Sequence, residues 1–311
     1  PDEFDPDYVH ELLVTVPATV EDINMKNSTI EFNKPIFHVN ESIDNINDLL
    51  TRDYVQNTFI KKLTLANGTV FEGQALKDLL DAVVADYGWG DDPDVSVAGD
   101  DINARLRAKL NNKGSVTWTV KIDVIGAEVK TGLQTPWGTE IDAADTIANV
   151  DELKQFDKTD TPVSYAWKTK PNFKPGVGVD HNVTGVVVVN YPDGTTQDVP
   201  VTIAVGDSQA DTFAAKDQTA TTQKITVHYG ETVSATSGLV DPTGNSVQSS
   251  EFVTPIDTTV ASSTTHPATV TFNDGSTATV AIPVDVIVAT PKTDATTPWG
   301  QVPDAKTLIA N

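Results

Sequence analysis

The sequence predicts a mainly β protein in which tandem β-sandwich repeats follow an α+β domain. Three observations support this prediction. Residues 122–149 align with 284–311 without a gap, and 15 of the 28 aligned positions are identical. A hairpin motif at 189–194 returns at 270–275, at half of that offset. The residues after each hairpin alternate between apolar and polar side chains, which is typical of strands with one buried face.

These offsets divide the chain. We predict an α+β N-terminal domain at 1–130, a first repeat at 131–206 and a second, divergent repeat at 207–290. Residues 291–311 repeat the start of the first repeat and are predicted to open a third one that is cut short. Because the chain begins with Pro1 rather than Met, we expect it to be a fragment of a longer protein.

In the N-terminal domain, strands are predicted where apolar residues alternate, and helices where they recur every three or four positions. The predicted strands are 8–17, 28–38, 59–72 with a turn at Asn67-Gly68, and 116–124. The predicted helices are 74–87, 101–112 and, with a weaker pattern, 42–56. This mixture predicts an α+β domain, and only its closing strand matches the repeats.

Within each repeat the predicted unit is a strand, a turn and a second strand. Val187, Val189 and Tyr191 share one face, and Asp193-Gly194 supplies the turn, where glycine adopts positive φ at no steric cost. The following strand alternates apolar residues with Pro200, Thr202 and Ala204, and the second repeat has the same pattern after Asp274-Gly275. Two short sheets packed face to face fit a repeat of this size.

The first repeat contains several motifs of one known family. They are Trp167-Lys168-Thr169, the proline-rich stretch to Pro175-Gly176, residues 184–195 and residues 198–202. In these motifs the chain resembles the Rib/alpha-like repeat surface proteins of Gram-positive bacteria, lactobacilli among them. The second repeat matches less closely, since no Thr-Pro-Trp-Gly opens it.

The resemblance implies immunoglobulin-like β-sandwiches, repeated in tandem as a stalk that projects a distal domain from the cell wall. It also implies an extracellular protein that is anchored to the wall through regions outside this sequence.

Composition excludes several classes of function. The chain has 44 acidic and 21 basic residues, a formal net charge of −23. It therefore has few cations to neutralise the phosphates of nucleic acids or to dock on an anionic membrane. It has no cysteine, which excludes disulfides and thiolate metal sites. No apolar run approaches the ~20 residues of a membrane span, so we expect no membrane insertion.

The sequence does not predict an enzyme. It has no phosphate-binding glycine-rich loop, no His-Glu-x-x-His and no Gly-x-Ser-x-Gly motif. Its five histidines lie far apart in sequence, and we interpret them as exposed or hydrogen-bonded structural residues. They are His10, His38, His181, His228 and His266.

One acidic segment is a candidate metal site. Asp91, Asp92, Asp94, Asp100 and Asp101 lie in and around the segment between the predicted helices 74–87 and 101–112. Calcium prefers carboxylate and carbonyl oxygens on loops, so these residues are able to supply a calcium site, although the spacing departs from an EF-hand. In the alternative interpretation, Asp100 or Asp101 caps the following helix and the rest is a solvated turn. No other cofactor is expected.

Three tryptophans carry further predictions. Trp89, beside the acidic segment, is a candidate platform for stacking a sugar, and the alternative is that it covers the end of the preceding helix. Trp137 and Trp299 recur in the Thr-Pro-Trp-Gly motifs, and we expect them to pack neighbouring repeats against each other.

Two classes of function are open at this point. In one, the repeats form a stalk and the N-terminal domain is an adhesive module for a host glycan, mucin or matrix protein. In the other, the chain is a structural spacer whose working domain lies elsewhere, or an accessory region of a cell-wall or polysaccharide-active enzyme. In both, neighbouring repeats are partners of one another.

Overall fold

The computed structural model describes residues 23–43, 59–111 and 114–311. Within these ranges the strands form three four-stranded sheets and one three-stranded sheet. The predicted mainly β fold class is therefore confirmed. The predicted strand at 8–17 and nearly all of the predicted helix at 42–56 lie outside the described residues.

Among its described residues, the N-terminal domain contains two sheets and one helix. Its elements are β1 (Thr29–Phe32), β2 (Ile36–His38), β3 (Ile60–Thr64), β4 (Val70–Glu72), α1 (Gly73–Val83), β5 (Val84–Trp89), β6 (Gly99–Leu110) and β7 (Ser115–Ile125). The small sheet has the order β1-β3-β4, and the larger one has the order β2-β7-β6-β5 with β2 parallel to β7. One core of buried apolar side chains, among them Phe37, Leu106 and Trp118, holds these elements together.

The hairpin predicted at 59–72 forms as β3 and β4, and Gly68 takes the positive φ of 87° that its turn requires. The helix predicted at 74–87 is correct for most of its length, since Leu76 and Leu79 are buried on one face of α1. It ends at Val83, however, and the next six residues form β5, which pairs with β6.

The helix predicted at 101–112 is wrong. Residues 101–110 belong to β6, which pairs with β7 along most of its length. The stripe of Ile102, Leu106 and Leu110 has a spacing of four, which fits a helix and an alternating strand equally well. The buried alanines at 104 and 108 complete the alternation and place the charged residues between them in solvent.

The first repeat forms the second four-stranded sheet, with the order β8-β11-β10-β9. Its elements are β8 (Gln134–Thr135), a 3-10 helix (Ala143–Thr146), α2 (Val150–Leu153), a 3-10 helix (Lys154–Phe156), β9 (Ser164–Thr169), β10 (Asn182–Asn190) and β11 (Thr196–Val205). Val187, Val189 and Tyr191 are buried, as the alternation predicts, and Gly194 has a φ of 87°.

The second repeat forms the third four-stranded sheet, with the order β12-β15-β14-β13 and β12 parallel to β15. Its elements are α3 (Gln209–Ala214), α4 (Gln218–Thr221), β12 (Ile225–His228), a 3-10 helix (Ala235–Gly238), β13 (Val247–Phe252), β14 (Ser262–Phe272) and β15 (Thr277–Ile287). Its core is centred on Phe213, Phe272 and Ile282.

The larger sheet of the N-terminal domain has the same strand order as both repeats. In each case the first strand lies parallel to the last, and the last three strands form an antiparallel meander. The sequence-based expectation that only the closing strand of this domain matches the repeats is therefore too narrow. The domain differs by the segment between β2 and β5, which contains β3, β4 and α1.

Contacts group the chain into two compact units. The first comprises residues 1–130, 143–168 and 186–199, and the second comprises residues 131–142, 169–185 and 200–311. His38 with its surroundings lies within the first unit, and His181 with its surroundings lies within the second.

Candidate functional site

The acidic segment predicted to bind calcium lies at the end of the N-terminal sheet, between β5 and β6 and at the start of β6. Asp91 forms an ion pair with Arg105 at 3.0 Å, and Asp101 forms one with Lys34 at 3.0 Å. Asp94 accepts hydrogen bonds from the amide and hydroxyl of Ser96, and the hydroxyl bond holds the pKa of this carboxyl below its ordinary value.

These contacts separate the five carboxylates rather than gathering them. Among the described residues, three ligand atoms approach within 4.8 Å of one another in two clusters, and neither contains Asp91, Asp92, Asp94, Asp100 or Asp101. The arrangement therefore does not support the predicted calcium site. The alternative helix cap is also wrong, because Asp100 and Asp101 lie in β6.

Trp89 does not present a face to a sugar. It lies in β5, its side chain is 8% exposed, and its indole Nε1–H donates to the carbonyl oxygen of Ile43 at 2.9 Å. Its ring meets Phe37 edge to face in the core. The prediction of a stacking platform is corrected accordingly, and so is the alternative that Trp89 covers a helix end.

A different cluster joins the N-terminal domain to the first repeat. His38, the last residue of β2, is 3% exposed. Its Nδ1 lies 2.9 Å from the carbonyl oxygen of Val39, and its Nε2 lies 3.0 Å from Asp193 Oδ2 in the hairpin of the first repeat. Glu41 accepts the backbone N–H of His38 at 3.0 Å. We call His38, Glu41, Phe156, Tyr191 and Asp193 the His38 joint.

Two polar contacts fix the orientation of the His38 ring. A carbonyl oxygen only accepts, so Nδ1 donates to Val39. Burial alone raises the pKa of Asp193, but the hydroxyl and amide of Thr195 and the His38 ring outweigh burial and lower it. The Asp193 carboxyl is therefore ionised at neutral pH, and its Oδ2 faces His38 Nε2 at 3.0 Å. Both ring nitrogens of His38 thus face oxygen atoms of the protein, and the contact with the Asp193 carboxylate lies in a largely buried position.

Aromatic rings enclose this contact. The ring of Tyr191 lies parallel to the His38 ring, with centroids 3.8 Å apart and planes 7° from parallel. Phe156 meets the His38 ring edge to face at 5.1 Å. Burial raises the pKa of Tyr191, so its hydroxyl stays protonated and donates to Gln197. The His38 ring thus stacks on one aromatic face and meets the edge of a second aromatic ring, both favourable arrangements for aromatic side chains.

The linker after β7 is fixed by side-chain amides. Gln197 Oε1 accepts the backbone N–H of Ala127 at 2.8 Å. Asn149 accepts the N–H of Glu128 at 2.9 Å and donates to the carbonyl of Gly126 at 2.8 Å. Three consecutive linker residues are therefore bonded to the first repeat, which limits bending at this point.

A second cluster lies where the first repeat meets the second. His181 Nδ1 lies 3.2 Å from the carbonyl oxygens of both Val205 and Gly206, and its Nε2 lies 3.5 Å from Asp211. Asp211 also accepts from the amide and hydroxyl of Ser208, which caps α3. This His181 cluster differs from the His38 joint in its residues and in its lack of a stacked ring.

These are the two clusters among the described residues that bring together three possible metal ligands, His38–Glu41–Asp193 and His181–Asp207–Asp211. In both, a protein carbonyl oxygen already engages the histidine Nδ1, a carboxylate lies within 3.5 Å of Nε2, and a carboxylate accepts hydrogen bonds from backbone N–H groups. Both are best explained as structural connections.

The sequence does not predict the pairing of His38 with Asp193, because the two residues lie far apart in the chain. A signal was nevertheless present. Residues 38–41 read His-Val-Asn-Glu and residues 228–231 read His-Tyr-Gly-Glu. In both segments the glutamate accepts the histidine N–H, and the third residue has positive φ. We call each segment a His turn.

Trp137 packs within the first repeat. Trp137 Nε1–H donates to the carbonyl of Pro175 at 2.9 Å, and the Lys174 ammonium lies 5.8 Å from the centre of its ring. The prediction that Trp137 packs against a neighbouring repeat is therefore corrected. Trp299, its counterpart in the segment 291–311, is fully exposed.

Two matches to a family model decide the family. The model of the Rib domain matches residues 128–207 and 211–288, which together are about half of the chain. The chain belongs to the Rib domain family. The resemblance stated from sequence is thereby confirmed. Rib domains are found in cell-surface proteins and form a non-enzymatic repeat family, so the repeats suggest a surface-protein stalk.

Solved structures show further likenesses. A Rib domain structure from Streptococcus pyogenes is 34% identical, covering 27% of this chain and 94% of that chain with a TM-score of 0.22. The sialic acid binding region of a Streptococcus sanguinis adhesin is 11% identical, covering 87% and 81% with a TM-score of 0.20. Drosophila N-cadherin EC1-3 is 10% identical, covering 82% and 98% with a TM-score of 0.17.

No curated protein matches the chain. None of the helices among the described residues is both long enough and apolar enough to span a membrane.

Proposed function

We propose that this chain is part of a bacterial cell-surface adhesin. In this proposal the Rib repeats form the stalk, and the N-terminal domain is the adhesive module for a host glycan, mucin or matrix protein. The protein is extracellular and is anchored to the cell wall through regions outside this sequence. The observation that carries the proposal is the Rib family match over about half of the chain.

The His38 joint supports a stalk with a fixed connection. A module that must stay extended away from a cell surface benefits from a joint that does not fold back. Here the linker backbone is bonded at three residues, and the buried contact between His38 and Asp193 closes the joint. In repeat proteins, each repeat contacts only its neighbours in sequence, so the connections between neighbours determine the array.

The inserted segment of the N-terminal domain supports adhesion by that domain. Where the second repeat connects its first two strands through 229–246, the N-terminal domain uses 39–83, which include β3, β4 and α1. The outer face of α1 is polar, with Lys77, Asp78 and Asp81 exposed. An elaboration of this kind on a repeated scaffold is a common place for recognition residues.

The spacer function is the second candidate. The observation that favours it is the shared strand order of the N-terminal sheet and both Rib repeats. In this case the N-terminal domain is one more member of the array, and the insertion only enlarges its core.

Binding measurements separate the two. The full chain and a chain beginning at Glu128 would be applied to a glycan array and to immobilised mucin and matrix proteins, with calcium and with a chelator. The adhesin proposal expects binding by the full chain that is lost when residues 1–127 are removed. Equal binding by both chains places adhesion in the repeats, and binding by neither supports the spacer.

A further inference from the structure

The second Rib repeat ends in a surface whose counterpart in the N-terminal domain is buried. Its His turn, residues 228–231, lies at the end of β12, where His228 pairs with Ile287 in the register by which His38 pairs with Ile125. The next backbone bond is also the same, since Tyr229 N–H donates to Ile287 at 3.0 Å and Val39 N–H donates to Ile125 at 2.9 Å.

The closing hairpins match as well. Leu110 N–H donates to the carbonyl of Gly114 in the N-terminal domain. In the second repeat the Phe272 N–H donates to the carbonyl of Ser276. Phe272 and Ser276 follow Leu110 and Gly114 in the sequence by the same offset that relates residue 122 to residue 284. Strands β7 and β15, which follow these turns, have the same length, and their first residues are separated by the same offset in sequence. The His turns therefore occupy equivalent places in two equivalent sheets.

The segments after the two sheets are also equivalent. In the segment 291–311, Asn311 accepts the N–H of Thr290 at 2.9 Å and donates to the carbonyl of Val288 at 3.0 Å. Asn149 makes the same two bonds at the corresponding linker positions of the first repeat. A bridge between Pro291 and Ile309 repeats the one between Val129 and Ile147.

The environments of the two His turns differ in one respect. His38 is enclosed by Phe156, Tyr191 and Asp193 of the first repeat. In the second repeat the His228 side chain is 68% exposed, and the neighbouring Tyr229 and Ile287 are 63% and 44% exposed. Apolar side chains are thus open to solvent at the place where the equivalent sheet is covered.

We infer that residues His228, Tyr229 and Ile287 form a docking surface for a following Rib repeat opened by Thr-Pro-Trp-Gly. The occupant is a repeat of the kind that begins at 291–311, whose aromatic-Pro-Asp-Gly hairpin would bind His228 as Tyr191 and Asp193 bind His38. The structural period of the array is then a pair of repeats, with His38-type joints alternating with clusters of the His181 type.

This inference deepens the proposed stalk function and does not depend on adhesion. It states which side chains of one repeat bind which side chains of the next. A His turn receives a hairpin with an aromatic residue and an aspartate, whereas Pro136-Trp137-Gly138, which stands at the same place in the first repeat, has no imidazole to offer. The sequence at the turn therefore specifies which kind of joint forms.

The test uses the whole chain, extended after Asn311 by a copy of residues 150–207 to complete a third repeat. Folding of that repeat is reported by Trp299, whose fluorescence should shift to the blue when it packs as Trp137 does. NMR titration of the histidine rings then compares the extended chain with the original chain. We expect the His228 resonances to shift and His266, in β14, to be unchanged.

A double-mutant cycle checks the contact. His228→Ala should lower the melting temperature of the extended chain by about 5 °C and leave that of the original chain unchanged. In the extended chain, changing the copy of Asp193 to Asn should remove most of the effect of His228→Ala. A folded third repeat with unchanged His228 resonances overturns the inference, and so does a His228→Ala effect that is the same in the extended and the original chain.

Discussion

The His38 joint gives the sharpest prediction. Replacing His38 by alanine removes an imidazole ring from a site where it is 3% exposed, and leaves Asp193 without its contact to Nε2. It also removes the ring that stacks on Tyr191 at 3.8 Å and meets Phe156 edge to face. The backbone bond between His38 and Glu41 is retained.

The magnitude is set by these contacts. Removing one partner of a fully buried ion pair costs several kcal/mol, but the Asp193 side chain is 18% exposed, so about 2 kcal/mol is appropriate here. The lost ring contacts add about 1 kcal/mol. For a cooperative unit of this size, a total of about 3 kcal/mol lowers the melting temperature by about 6 to 12 °C.

Differential scanning calorimetry of the full chain measures this change, with His228→Ala as the matched control. His228 is exposed and lies 3.3 Å from an exposed Glu231, a pair that contributes at most about 0.5 kcal/mol. We expect a large decrease for His38→Ala and almost none for His228→Ala. Equal shifts for the two variants would refute the reasoning that the buried contact between His38 and Asp193 stabilises the joint.

Three further predictions concern acid, a tryptophan and a glycine. Because the pKa of Asp193 is lowered in the folded chain, its contribution is present at neutral pH and is lost as the pH falls through that lowered pKa. Asp193→Asn should destabilise the chain at about pH 6, and the difference from wild type should shrink as the pH falls below 3.8; a constant difference would contradict this. Trp137→Ala should cost about 2 kcal/mol in a chemical denaturation experiment, whereas Trp299→Ala, at a fully exposed position, should cost nothing. Gly185→Ala should lower the free energy of unfolding by about 1 to 3 kcal/mol, because the added Cβ would lie 2.6 Å from a proline ring. Gly176→Ala should leave it unchanged, because the nearest atom to its Cβ would lie 3.9 Å away, and similar losses of stability for the two variants would be evidence against a packing effect.

The strands of the repeats were predictable because their signals are local. Val187, Val189 and Tyr191 alternate with less buried neighbours, and Gly194 follows an aspartate at the turn. Each of these patterns needs only a few adjacent residues. The error at 101–112 had a local cause too, since a spacing of four is common to both periods and only the alanines at 104 and 108 distinguish them.

Less of the His38 joint than of the strands was predictable from the sequence. The repeated His turn is visible in the sequence at 38–41 and 228–231, but its partner is not. Asp193 lies far from His38 in the chain and is one of 44 acidic residues. The five aspartates near Trp89 looked like a ligand set because they are close in sequence, yet Arg105 and Lys34 hold two of them apart.

The sequence by itself determined the Rib family, the repeats and the alternation of their strands, because repetition and period are properties of neighbouring residues. Tertiary structure alone decided that β6 is a strand, that Trp89 is buried, and that the His38 ring pairs with Asp193. Each of these depends on groups distant in the chain, because a strand needs a partner such as β7 and the His38 ring needs the carboxylate that it contacts. Burial and electrostatic pairing are set by such distant neighbours, which the fold brings together.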